Sequence, residues 1–360
     1  MPGRAKHLLV AISSHGFGHA TQTAPVINAL RRRVPDLRVT LRTTVPRDLL
    51  ATRFDPPWDL VSVAADFGMR MTSALDVDVA ASAESYARLH ERWPERVAEE
   101  AAALTTLAPD AILGNVPYLT LAGAAHASIP SVALCSLNWA DVYRHYFGTR
   151  PEAAAIHAQI LAAYASARAF IRPTPGMPMI DLPARRAVGP IARVGADRTD
   201  ELRRALGLSS RQRLVVIAPG GLSLPLPIDH WPRTPDIRWL VSGRDHVDHP
   251  DAVPLSSMNW PFVDILRGCD ALIGKPGYGT FAEAACNGAP MLYVRRGDWP
   301  EEPYLIDWLT TSGRALELAR PALERGDLGG PLAALWRLPP KSPVLPTGIE
   351  EAADIVAQFL

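Results

Sequence analysis

The sequence predicts an α/β protein made of two sheet domains. Three observations carry this reading. An apolar run at residues 7–13 enters a glycine turn, and a helical pattern and a second strand follow it. The order strand, glycine turn, helix recurs at residues 270–288. The chain has 360 residues, more than one ordinary domain, so two of similar size are expected. With 48% hydrophobic and 21% charged residues, the composition suits a globular chain with a large core.

In order, His7-Leu-Leu-Val-Ala-Ile-Ser13 reads as a strand and Ser14-His15-Gly16-Phe17-Gly18-His19 as a glycine turn. Residues 21–33 place Ala24, Ile27 and Leu30 on one helical side and end in an arginine cluster suited to a helix C-terminus. Residues 37–43 return as a strand, so the opening is βαβ with a right-handed crossover. A short strand at 60–64 precedes a loop at 66–79, where Asp76-Val-Asp78 is a chance match to a metal-binding DxD. Residues 83–107 read as helix interrupted at Pro94, then strand 110–114, helix 118–127 and strand 131–137. Residues 111–140 contain no Asp, Glu, Lys or Arg, yet Asn115, Pro117, His126, Pro130 and Asn138 cut them into pieces too short to span a bilayer. Helix 152–168 and strand 169–172 lead to a proline-rich stretch at 173–190, read as a linker with the boundary near 183–191.

The second half begins with a short helix at 200–206. Strand 213–218 then runs into a second glycine loop, Pro219-Gly-Gly221-Leu-Ser223. A strand at 237–242 and a short helix ending at Gly268 come next. After the 270–288 unit come strand 291–294 and a helix from Leu305. Residues 320–346 read as proline-rich and irregular, and 349–360 as a final amphipathic helix. The 34 prolines predict short helices and stiff loops.

Chemistry gathers at three places. In the 270–288 unit, Ala271-Leu-Ile273 reads as a buried strand broken by Gly274, Gly277 and Gly279, with a helix from Thr280. Glycines let a ligand approach the main chain, and a helix start offers unpaired N–H groups and partial positive charge. Lys275 adds a full charge, so a phosphate or diphosphate fits. A plainer reading stays open: Thr280-Phe-Ala-Glu283 is a capping box, which alone would account for both polar residues. His19 stands at the C-terminal mouth of the first strand, where open parallel sheets bind ligands. It is read as a proton-transfer group, or else as a helix-start histidine bonding a nearby carbonyl. Residues 138–146 are dense in polar and aromatic groups, suiting a sugar or ring-bearing acceptor or ordinary packing. Asp141 there is the second possible base or acceptor-binding group.

Other classes are disfavoured. Lys+Arg and Asp+Glu both number 37, so no charge excess points to nucleic acid or acidic membranes. Cys135, Cys269 and Cys286 lie far apart with no CxxC pair, which fits a reducing cytoplasm rather than disulfides or structural zinc. His246-Val-Asp248-His249 reads as a solvated turn rather than a metal cluster. No secretion signal is visible, and a cytoplasmic protein without an integral membrane segment is expected.

Together the motifs resemble a known set: a GxGH turn after the first strand, a Gly-Gly loop opening the second half, GxGTxxE, then an Arg-rich loop and an acidic pair. The chain resembles GT-B glycosyltransferases related to the N-acetylglucosaminyltransferase that makes lipid II. It looks closest to the glycosyltransferase-like N-terminal region of plant L-arabinokinases, over most of residues 7–320. The matching segments are His15-Gly-Phe-Gly-His-Ala-Thr21, Gly274-Lys-Pro-Gly-Tyr-Gly-Thr280, and Val294-Arg-Arg296 with Glu301-Glu302-Pro303. No sugar-kinase half is present, and Gln22 stands where those relatives lead one to expect Arg.

The resemblance implies two Rossmann-like domains facing across a cleft, residues 1–185 on the acceptor side and 186–348 on the nucleotide side. A terminal helix at 349–360 would cross back to the first domain and bury Ile355, Val356 and Phe359. A nucleoside diphosphate sugar, UDP-linked, would be the co-substrate, with no cofactor or metal and an acceptor of unknown kind. Its site would draw on Gly16, Gly18, Gly221, Phe262, Val263, Lys275, Gly277, Tyr278, Gly279, Thr280, Glu283, Arg295, Arg296, Glu301 and Glu302. Glu283 would bond the ribose, residues near 259–263 would contact the base, and Gly221, Gly279 and Thr280 would meet the diphosphate. Glu301 and Glu302 would address the donor sugar, and His19 would act at the reacting centre. Met291 stands where many retaining relatives carry Glu, which favours inversion. An epimerase or hydrolase of the same fold, or a non-catalytic nucleotide-sugar-binding module, is the alternative.

Overall fold

The computed structural model describes residues 4–64, 66–220 and 226–360. The chain forms two compact units: unit 1 is Met1–Met71, Val77–Ile191 and Thr347–Leu360, and unit 2 is Thr72–Asp76 and Ala192–Pro346. The sequence places the boundary at 185/186, six residues before the structural division at 191/192.

Unit 1 contains β1 (His7–Ile12), α1 (Gly18–Arg33), β2 (Arg38–Arg42), α2 (Arg47–Ala51), β3 (Asp59–Val61), α3 (Val79–His90) and α4 (Trp93–Leu107). It continues with β4 (Ala111–Asn115), α5 (Tyr118–His126), β5 (Ser131–Leu134), α6 (Trp139–Phe147), α7 (Ala153–Ala165), β6 (Ala169–Pro173) and β7 (Arg185–Val188). The seven strands form one sheet in the order β3-β2-β1-β4-β5-β6-β7, with every pair parallel. Helices cover such a sheet on both faces, so β1 is buried at all six positions and reads as a continuous apolar run. Pro94 starts α4 rather than kinking one long helix, because its missing N–H costs nothing in a first turn.

Unit 2 contains α8 (Thr199–Ala205), β8 (Arg213–Ile217), β9 (Ile237–Val241), β10 (Ala252–Pro254), α9 (Phe262–Gly268), β11 (Ala271–Gly274) and α10 (Tyr278–Asn287). Then come β12 (Met291–Tyr293), α11 (Glu302–Ser312), β13 (Ala315–Glu317), α12 (Arg320–Arg325) and α13 (Gly329–Arg337). Its sheet is also parallel, in the order β10-β9-β8-β11-β12-β13. One core cluster joins Val215, Ile217, Trp239, Ile273 and Leu292 with Leu332 and Leu335, and Leu75 belongs to it.

Three expectations change. The stretch read as a linker contains β7, an edge strand whose first three residues are exposed and so lack a period-2 signal. Residues 320–346 are not wholly irregular, because α12 and α13 bury Leu323, Leu332 and Leu335. The last helix, α14 (Gly348–Ala357), packs on unit 1, where Arg32 and Arg33 at the end of α1 pair with Glu350 at 3.0 and 2.6 Å. It buries Ala352, Ala353 and Val356, while Ile355 and Phe359 are only half-buried. Among the described residues no helix is long and apolar enough to cross a membrane.

Candidate functional site

In each sheet the strand order reverses once, between β1 and β4 in unit 1 and between β8 and β11 in unit 2. The loops at the C-terminal ends of those strands are where a doubly wound sheet binds ligands.

In unit 1, β1 leads through Gly16, at φ +83°, into α1, which starts at Gly18, three residues before the expected helix. His19 therefore lies inside the first turn, and Ile12 pairs in register with Asn115 at the end of β4. His19 Nδ1 lies 2.8 Å from Asn115 Oδ1. The proton on this bond can be assigned from its neighbours. Thr23 Oγ1 donates to the His19 carbonyl at 2.8 Å, so its proton is committed and it accepts from Asn115 Nδ2 at 2.9 Å. The same Nδ2 donates to Gln22 Oε1 at 2.9 Å. The amide of Asn115 is thus oriented with its oxygen towards His19, and Nδ1 must carry the proton. The lone pair is left on Nε2. Burial holds the His19 pKa below its ordinary value, with the Asn115 bond pulling the other way, so the ring is neutral and basic at Nε2 at physiological pH. Gln22 is buried, and its Nε2 donates to Ser136 Oγ at 3.3 Å; the neutral side chain suits this enclosed network.

Asp141 is differently placed. Its carboxylate accepts from Arg144 Nη2 at 3.0 Å and from Asn138 Nδ2 at 2.9 Å, and its N–H is capped by Asn138 Oδ1 at 2.8 Å. Both oxygens are occupied in starting α6 and holding Arg144, which also pairs with Asp181 at 2.6 Å. The structure does not bring Asp141 into the His19 network. The aromatic stretch is partly core: Trp139 and Tyr143 are fully buried, Tyr146 is half-buried and His145 is exposed.

In unit 2, α10 begins at Tyr278 with Gly277 as its N-cap and no side-chain cap. Thr280 is then the third helical residue and Glu283 lies in the second turn, so the capping-box reading fails. Glu283 is buried, with Oε1 3.8 Å from Arg193 Nε. Gly277, Gly279 and Thr280 are partly exposed, while Tyr278 is buried as the anchor of the first turn. The amides of that turn have no partner within the helix. Two cations stand beside them. A Cβ on Gly277 would lie 3.8 Å from Arg296 Nη2, and one on Gly220 would lie 3.1 Å from Lys275 Cε. Lys275 Nζ donates to the Ala74 carbonyl at 3.3 Å. Burial, and then Arg296, push the Lys275 pKa down to about 7, with Glu301 pulling it up. Gly221 lies outside the described residues.

The remaining expected residues divide. Arg296 lies over the Trp299 ring at 4.9 Å, and Trp299 Nε1 donates to buried Glu301 at 3.3 Å, so these three join the Lys275 cluster. Glu302 instead accepts from the Arg296 N–H at 2.9 Å and faces Arg295 at 3.7 Å, and Arg295 also bonds Glu317 at 2.8 Å. Arg295 and Glu302 are therefore engaged with each other and with the chain. Phe262, half-buried, and Val263, buried, start α9 beside Gly195, where Ala196 N–H donates to Asp264 at 2.9 Å. The carboxylates of the DxD match separate: Asp78 caps α3 by accepting from Ala81 N–H at 2.9 Å, and Asp76 accepts from Ser73 at 2.6 Å. His249 is buried rather than solvated, 3.2 Å from the Trp231 carbonyl.

No protein-family model matches the chain. The L-arabinokinase of Arabidopsis thaliana is 28% identical over 339 residues, covering 89% of this chain and 31% of that protein. The chain thus spans about a third of the length of that relative. Among solved structures, the glycotransferase of kitacinnamycin is similar at 18% identity and TM-score 0.63, over 99% of this chain and 100% of that one. The calicheamicin glycosyltransferase CalG4 gives 18% and 0.63, over 99% of each chain. Arabidopsis thaliana UGT89C1, complexed with UDP, gives 14% and 0.62, over 99% of this chain and 100% of that one. The chain has the GT-B fold. Both sheets of this GT-B protein place a chemically distinct cluster at the strand-order reversal, a neutral histidine network in one and two cations at a helix start in the other. Sequence reasoning missed Asn115 and Arg193 as partners. Asn115 carried a signal, being a polar residue ending an apolar strand, but Arg193 carried none.

Proposed function

We propose that the chain is a glycosyltransferase that moves a sugar from a nucleoside diphosphate sugar, UDP-linked, to an acceptor hydroxyl. The observation that carries this reading is the pair of cations, Lys275 and Arg296, beside the uncapped start of α10. Arg296 and a lysine poised to take up a proton, both at a positive helix end, suit a multiply charged anion, and a diphosphate leaving group supplies one. His19 is the base. Its Nε2 takes the acceptor proton as the acceptor oxygen forms a bond to the anomeric carbon. The bond from that carbon to the diphosphate oxygen breaks, and its electron pair leaves with the nucleotide. Attack from the opposite face inverts the centre. The chain's own cations meet the leaving charge, so the step runs without a metal ion. Glu283 bonds the ribose, Phe262 and Val263 border the base, and Glu301 addresses the donor sugar. The UDP complex of UGT89C1 and the likeness to an L-arabinokinase support the nucleotide-sugar reading. The reading includes a cytoplasmic location, which the three free cysteines support.

The experiment has three steps. Thermal shifts with nucleoside diphosphates should show stabilisation by UDP. UDP-sugars should release UDP only when an acceptor library is added. His19→Ala should keep the UDP shift and lose at least ~10²-fold in turnover, the low end for a general base. No shift with any nucleotide would remove the reading. Release of UDP or a new sugar without acceptor would make the protein a hydrolase or epimerase. Binding without turnover would make it a binding module.

A further inference from the structure

Asp66 lies on the loop after β3, and nothing in the sequence marks it. Its carboxylate is turned inward, and Oδ2 accepts the indole N–H of Trp139 at 2.9 Å. Burial pushes its pKa up to about 6, against the hydrogen bond from Trp139, so at neutral pH it is a carboxylate. The Trp139 ring is fully buried and meets the His15 ring edge-on at 5.3 Å. The His19 ring lies tilted at 6.1 Å from the same indole. The loop is pressed against this wall. Gly68 has φ +63°, and a Cβ there would come within 2.7 Å of the indole and 2.8 Å of His15 Cβ. Met69 N–H also reaches His15 Nδ1, at 3.4 Å. One carboxylate thus ties the indole beside the histidine rings to the loop after β3.

We propose that Asp66 is a positioning residue for His19: by holding the Trp139 indole it sets the wall against which the His15 and His19 rings stand. The proposal rests on the reading of His19 as the base. An indole that loses its acceptor can shift within its packing, and a displacement of a base by ~1 Å can lower turnover by ~10²-fold.

The test compares Asp66→Ala with Asp66→Asn, whose amide oxygen can still accept the indole N–H. Nuclear magnetic resonance should show the Trp139 indole N–H signal and the His15 and His19 ring signals displaced in Asp66→Ala and largely restored in Asp66→Asn. Turnover should fall about 10- to 100-fold in Asp66→Ala with KM for the nucleotide sugar unchanged, and recover in Asp66→Asn. A folded Asp66→Ala protein with unmoved His19 signals would overturn the proposal, as would moved signals with full turnover. If Asp66→Ala does not fold, Asp66→Val fills the site without an acceptor while keeping the indole, and the same histidine signals must move. If the wild type turns over no nucleotide sugar, the transferase reading fails, and the ring signals alone still decide the positioning.

Discussion

Replacing Asn115 by Asp puts a charge where the structure has an amide, 2.8 Å from His19 Nδ1. The amide oxygen accepts from Nδ1–H in both protonation states and pulls the pKa up against burial, but it carries no net charge. A full negative charge about 3 Å from the ring, at an effective dielectric of about 20, attracts the imidazolium by roughly 5 kcal/mol. Desolvating the new carboxylate in a buried site cancels part of this. What remains should match the ~1–3 pH units by which a close opposite charge raises a base. The sign is fixed: the carboxylate favours the charged ring, so the His19 pKa rises. In the wild type, burial holds it below the ordinary histidine value, so the acid limb of kcat/KM should lie below pH ~6.5. In Asn115→Asp the acid limb should move up by ~1–3 units. Activity at pH 6 should fall, while activity above the new pKa is retained or raised. The fold can absorb the change, because Thr23 can turn its hydroxyl from the His19 carbonyl to the new oxygen and Gln22 can reverse its amide. The assay is kcat/KM against pH, alongside the His19 ring resonance, which needs no substrate. If the resonance pKa rises and the acid limb stays in place, His19 is not the base.

Two further outcomes follow from buried titrating groups. Lys275 is held down to about 7, and a bound diphosphate favours its charged form. UDP binding should therefore take up protons above pH 7 and weaken as pH rises; calorimetry at pH 8 in buffers of different ionisation enthalpy would detect this, and no uptake would place the diphosphate away from Lys275. His90 is pushed down to about 4, by burial above all, and touches Tyr118 OH at 2.9 Å. Its folded pKa lies below the unfolded one, so its contribution is complete above pH ~6.5 and is lost as pH falls towards 4, by up to about 3 kcal/mol. Denaturant midpoints should show that slope in the wild type and a shallower one in His90→Gln, and equal slopes would refute it.

The strand-and-helix alternation was legible because a strand covered on both faces is a plain apolar run, as in β1 and β11. β7 was not, since an edge strand of Arg185-Arg-Ala-Val has no buried face along most of its length. A local pattern could also mislead. Thr280-Phe-Ala-Glu283 satisfies the capping-box spacing, yet the helix starts at Tyr278, whose buried ring anchors the first turn. Spacing alone does not say where a helix begins when an apolar anchor precedes the box. His19 and Lys275 were visible because glycines beside them announced strand ends. Their partners were not, because each is set by the sheet and not by the chain nearby. Asn115 lies 96 positions from His19, and Asp66 lies 73 from Trp139. Only the pairing of β1 with β4, Ile12 opposite Asn115, shows that the amide stands behind the imidazole. A sequence can thus name the group that does the chemistry while leaving its protonation state open. Here that state follows from the fold, because one threonine hydroxyl already committed to a helix carbonyl decides which way an amide points, and the amide decides which histidine nitrogen is free.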